Sequence, residues 1–114
     1  MAIILHHEEV EKILDWKQAI ELVERVSLLE HRQQTDMPSR LNTNTSTGWF
    51  RVMPGVIKGG EDWDVMGLKA MNLVKGKGLR YMIMLMSAQN GELLSMMDAA
   101  LITRIRTGAA TAVA

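Results

Sequence analysis

Arg104 and Arg106 stand in a mostly apolar segment, DAALITRIRTGAATAVA (98–114), and Arg106 is followed at once by Thr107, Gly108 and a run of small residues. An arginine beside small residues can hold its planar guanidinium against close-packed backbone, where a planar anion can be received. The same two arginines also fit the charged surface of an alanine-rich helix, the usual home of the residue. Lys69 poses a similar question, because it lies inside an apolar run, Gly67-Leu68-Lys69-Ala70-Met71, and not in a turn. At a strand edge its long stem would carry the charge to water. Turned inward, the amine is desolvated, its pKa falls, and it suits proton transfer or anion binding. Arg40 follows Pro38 at the start of an extended run and can point the same way. Two or three cations meeting in one pocket call for a carboxylate or phosphate ligand.

Other clusters offer weaker chemistry. His6-His7-Glu8-Glu9 holds four potential ligands, but neighbours on a strand or helix point apart, and the i, i+4 spacing of helical metal sites is missing. No metal is expected. Glu61, Asp62 and Asp64 crowd one loop and read as a solvated turn. Gly76-Lys77-Gly78 lacks the rest of a phosphate-loop pattern and reads as a hairpin turn. The chain has 114 residues, 47% of them apolar, and its formal charges balance at +0. That length predicts one domain with a real core, and the charge balance argues against nucleic acid as a partner. Cysteine is absent, so disulfides and thiolate chemistry are excluded, and an intracellular, cytoplasmic setting is expected. The N-terminus has no basic segment ahead of its short apolar run, so it does not read as a secretory signal, and no stretch is long and apolar enough to predict a membrane span.

The elements that would position these residues can be read in order. Residues 2–5 form a short β-branched run that predicts an opening strand. Residues 8–14 predict a helix with acidic residues in its first turn. Asp15 can cap a second helix, with Gln18 three positions on as the partner of a capping box. From there Trp16, Ile20, Val23, Val26 and Leu29 recur at helical spacing, which predicts an amphipathic helix to about residue 33. Pro38 ends that regime, and strands are predicted over 40–43 and 48–52, the second stopped by Pro54-Gly55. Gly59 to Asp62 predicts a loop, 65–74 an extended run, and 75–78 a turn. The strand over 80–87 puts Tyr81, Ile83 and Leu85 on one face and Met82, Met84 and Met86 on the other, so both faces need cover. A chain this small has one helical layer to give, and the second face asks for another protomer or another domain. Asn90-Gly91 predicts a two-residue hairpin into a strand over 92–97. The last helix runs through 109–114 without a stop signal, which reads as a chain cut inside an element. The fold class expected is α+β: two helices, a mostly antiparallel sheet, then a C-terminal helix.

Taken together, these segments resemble the N-terminal half of the ornithine cyclodeaminase/mu-crystallin family. The likeness runs from LHHEEVEKIL through PSR, RVMPG and GLKAMN to NGELLSMMDAALITRIRTGAATAVA, the most specific part, in which the pattern tG-lla-mD---lT--RTgA-sa-A is kept almost throughout. The resemblance implies a substrate-binding and dimer-forming α+β domain spanning 1–114, whose strands join those of a second subunit in a homodimer. It also implies a following Rossmann domain for NAD or NADP, whose glycine fingerprint is absent from these residues. By position, the family's substrate-carboxylate arginines fall on Arg40 and Arg106, its active-site lysine on Lys69, and a pocket-lining residue on Met53. Thr107 and Gly108 match a turn near substrate and nicotinamide, while Arg104 matches no site position. The implied substrate is an amino acid or cyclic imino acid with a free carboxylate, oxidised at Cα by hydride transfer. The product then depends on whether the imine is cyclised with loss of ammonia, hydrolysed, or approached in reverse by a ketimine reductase. A non-catalytic binding or oligomerisation module of the mu-crystallin type is the alternative.

Overall fold

The computed structural model describes residues 2–60 and 63–113. Glu61 and Asp62, in the predicted acidic loop, and Ala114, in the predicted final helix, lie outside the described residues. The chain opens with β1 (Ile3–Leu5), α1 (His7–Ile13) and α2 (Trp16–His31), continues through six further strands, and closes with α3 (Ala100–Val113). The strands are β2 (Thr35–Asp36), β3 (Leu41–Asn44), β4 (Gly48–Lys58), β5 (Asp64–Val74), β6 (Gly78–Ser87) and β7 (Leu93–Asp98). They form a seven-stranded sheet in the order β1-β7-β6-β5-β4-β2, with β3 also paired to β4. All pairings are antiparallel except β1 with β7, which is parallel. The expected α+β architecture is the one observed.

Capping residues set the ends of the long helix. Asp15 Oδ1 accepts a hydrogen bond from the Gln18 backbone N–H at 2.8 Å, satisfying one of the free donors at the start of α2. The helix stops two residues short of the sequence expectation. Gln33 takes a left-handed φ of 59°, its N–H donates to the Glu30 carbonyl at 3.0 Å, and the Gln34 N–H donates to the Leu29 carbonyl at 2.9 Å. That is a Schellman ending with glutamine in the place glycine usually takes, a signal the sequence does not advertise.

Two turn expectations need correction. Pro54-Gly55 does not stop a strand: β4 runs on to Lys58 and pairs with β5 along its whole length, Pro54 opposite Leu68. On its other edge β4 is shared between two short strands, with Leu41 opposite Val52 and Asp36 opposite Val56. Pro54 falls in the gap between them, where its missing N–H breaks no ladder bond. Pro38 makes the matching interruption between β2 and β3. Nor is Asn90-Gly91 a two-residue hairpin. The connection spans 88–92, folded by the Gly91 N–H donating to the Ser87 carbonyl at 2.9 Å and by Ser87 Oγ accepting from Gln89 N–H at 3.1 Å. Gly91 there adopts φ 79°, open to glycine at no steric cost.

The core sits between the two long helices. Ala19 of α2 and Ile105 and Ala109 of α3 are buried together, flanked by Leu14, Ile20, Val23 and Leu101. Small residues let the helices approach closely: a Cβ on Gly108 would come within 2.5 Å of the Trp16 ring. The methionine-bearing face of the sheet has no such cover. None of Val52, Met66, Leu68, Met84 and Met96 is buried, and Phe50 and Met82 are 41% and 46% exposed.

Candidate functional site

Strand register builds the site. Lys69 of β5 lies opposite Met53 of β4 and Ile83 of β6, and Met71 lies opposite Tyr81, so these side chains share one face of the sheet. That face is the one under α3, because Lys69 Nζ donates to Thr103 Oγ1 at 3.2 Å. The ammonium also lies 5.5 Å from the centre of the Tyr81 ring, within cation–π range. Of the two readings open for Lys69, the inward one holds.

Arg40 and Arg106 approach the same ammonium from separate elements. Arg40 ends the connection between β2 and β3, one residue before Leu41 pairs with Val52, which brings it beside Met53. Arg106 stands on α3, three residues after Thr103 and so on the same side of the helix. The Lys69 pKa lies below its ordinary value, mainly because the amine is partly desolvated, and further because the charges of Arg106 and then Arg40 repel a third cation. Arg104 does not enter this set. Among the described residues the close nitrogen–carboxylate contacts are those of His7 with Glu11 and with Asp98, so Lys69, Arg40 and Arg106 have no carboxylate partner there. Neighbouring cations without a carboxylate partner can together receive an anion such as a carboxylate or a phosphate.

Thr107 and Gly108 lie within α3 and not in a turn. Thr107 is exposed beside Arg106, its hydroxyl donating to the Thr103 carbonyl at 2.9 Å. The missing side chain of Gly108 is already filled by Trp16, so helix packing accounts for that glycine. His7 is drawn between Glu11 and Asp98 at 3.6 and 3.5 Å. Tyr81 and Thr103 were not among the expected site residues. Tyr81 could have been found from strand alternation once β5 and β6 were paired, whereas Thr103 reaches Lys69 across 34 positions of sequence. A cleft of about 650 Å³, lined by Phe50, Ala70, Met82 and Met96 together with the polar Asn72, Arg80 and Asp98, reaches Tyr81 but does not include Lys69.

Comparison with known proteins bears on this arrangement. The model of the ornithine cyclodeaminase/mu-crystallin family matches residues 1–114. An alanine dehydrogenase of Archaeoglobus fulgidus is 34% identical over 118 residues, covering 98% of this chain and 35% of the relative. Among solved structures, an archaeal alanine dehydrogenase dimer with bound NAD superposes with a TM-score of 0.84 at 30% identity, over 96% of this chain and 34% of that one. The Δ1-pyrroline-2-carboxylate reductase of Thermococcus litoralis, in complex with NADH and L-proline, gives a TM-score of 0.84 at 27% identity, over 96% and 35%. The chain therefore spans about a third of the length of these relatives.

Proposed function

The chain belongs to the ornithine cyclodeaminase/mu-crystallin family, and from that premise we propose that it is the substrate-binding and dimerisation domain of an NAD(P)-dependent enzyme acting on amino or cyclic imino acids. The observation that supports this reading is that Lys69, bonded to Thr103 beneath α3, has the charges of Arg106 and Arg40 near enough to lower its pKa, with no recorded carboxylate pairing to any of the three among the described residues. An α-carboxylate would accept hydrogen bonds from the two guanidinium groups and the ammonium, which neutralises it and fixes the attached Cα. Met53 lies against Lys69 and would line the pocket beside that carbon. A nicotinamide dinucleotide, held mainly by a further domain and bordered on this side by Thr107, would accept or return the hydride at Cα. Lys69 holds the anion while charged, and in its neutral form can take up a proton, a role its lowered pKa favours. The relatives, an alanine dehydrogenase and a pyrroline-carboxylate reductase, act on substrates that share this carboxylate. Cyclodeamination of ornithine to proline belongs to the same chemistry and is the form we favour.

The test is nicotinamide absorbance followed in the full-length protein. L-Ornithine, L-alanine and cyclic imino acids are each supplied with NAD and with NADP, in both directions. Turnover is expected with at least one of them and should vanish with the matching amine that lacks the carboxylate. Turnover indifferent to the carboxylate would overturn the assignment.

A further inference from the structure

We propose that Thr103 is a positioning residue for Lys69: its hydroxyl oxygen holds the ammonium against the Tyr81 ring, aimed at the place where a ligand carboxylate binds between Arg40 and Arg106. The proposal rests on reading those three cations as the carboxylate site. An ammonium has three N–H donors and no acceptor. One of them goes to Thr103 Oγ1 at 3.2 Å, and the Tyr81 ring lies 5.5 Å away. The neighbouring arginines repel Lys69, and its flexible four-carbon stem would otherwise carry the charge toward water. Something must hold it in place before the anion arrives, and among the described residues the Thr103 oxygen is the hydrogen-bond acceptor that does so.

The other threonines of α3 sharpen the point. Thr107 and Thr111 donate to the carbonyls four residues earlier, at 2.9 and 3.1 Å, the usual local bond of a helical threonine. The side-chain bond of Thr103 is instead the one it receives from Lys69. Thr103 also stands three residues before Arg106 on the same helix, so a single turn of α3 sets both the lysine and one arginine. The helix thereby couples the two cations to one rigid element, and the substrate meets a preformed fork.

Thr103→Val keeps the shape of the side chain and removes the acceptor, while Thr103→Ser restores it. In the full-length protein Thr103→Val should raise KM for the amino or imino acid roughly tenfold, the loss of about one charge-assisted hydrogen bond, with kcat little changed. The alkaline limb of the KM profile should move to lower pH, because an acceptor that favours the charged lysine is gone. Thr103→Ser should return both to the wild-type values. A second readout needs no turnover: with lysines reductively methylated by ¹³C-formaldehyde, the Lys69 methyl signal should titrate at lower pH in Thr103→Val than in wild type. A Thr103→Val protein matching wild type in KM, pH limb and Lys69 titration overturns the proposal. Arg106→Ala separates this from failure of the site itself. If Arg106→Ala leaves KM and kcat untouched, the carboxylate reading falls, and the Lys69 titration still decides whether Thr103 holds the lysine.

Discussion

An amine that has lost part of its hydration and sits beside two guanidinium groups gives up its proton more readily than a free lysine, and Lys69 is in that position. The folded chain then binds fewer protons than the unfolded one between the lowered pKa and 10.5, the ordinary value. Its stability therefore rises with pH through that window, because neutral Lys69 escapes first its desolvation penalty and then its repulsion by Arg106 and Arg40. Lys69→Met should accordingly raise the urea midpoint at neutral pH, with the gain shrinking as pH approaches 10.5. A variant less stable than wild type at neutral pH would contradict the clustered-cation account. Substrate binding runs the other way, since carboxylate affinity should fall as Lys69 deprotonates. For Arg106, removal of the side chain leaves a bound carboxylate short of a partner, so Arg106→Ala should cost about 2–5 kcal/mol in kcat/KM. Arg104→Ala should leave it near wild type, because Arg104 is not among the charges that act on Lys69. Lys69 stood out in the chain because it interrupts an apolar run, whereas Arg106 was told apart from Arg104, and Arg40 joined to it, only by the family resemblance. Thr103 and Tyr81 were not legible, because nothing local marks a threonine or tyrosine as the neighbour of a lysine on another element.

Elements were legible where a signal is local and obscure where it depends on a partner. Asp15 marks the start of α2, and period-2 and period-3.6 patterns separate β6 from the helices, with the expected strand over 92–97 observed as β7. Pro54 misled because a proline stops a strand only if both edges are paired, and the gap between β2 and β3 cannot be seen in the sequence. β2 itself, two residues long, has no pattern of its own. Gly67 is a case where the partner dictates the residue. It lies between Gly55 of β4 and Leu85 of β6, and a Cβ there would collide with the Met84 carbonyl oxygen. Backbone cannot swing aside as an exposed ring can, so Gly67→Ala should destabilise the chain by about 1–3 kcal/mol, outweighing the smaller gain from a stiffer unfolded state. Urea unfolding checks this, and an unchanged or higher midpoint would mean that β5 and β6 part more easily than their register implies.

At the scale of the whole molecule, helices lie on one face of the sheet and, among the described residues, none lies on the other. Helices α2 and α3 bury small and branched residues against each other and bring Thr103 to Lys69, while the methionine face carries no helix. Alternation in β6 announced this, since a strand apolar on both sides cannot be satisfied by one layer. A second copy presenting the same face is the occupant we favour, in keeping with the dimer of the archaeal alanine dehydrogenase. Met84 lies at the middle of that face, opposite Leu68 on one side and Met96 on the other. Met84→Glu should therefore act on assembly more than on folding. In a single copy the new carboxylate reaches water beside residues that are only half-buried, whereas in a dimer it would be desolvated without a partner, at a cost of several kcal/mol. Sedimentation equilibrium should show a dimer for the wild-type chain and a monomer for Met84→Glu, with the circular dichroism of both alike. A wild-type monomer would remove the second copy as the cover of this face. A dimer that tolerates the glutamate would place the interface elsewhere and leave the open face for another domain to fill.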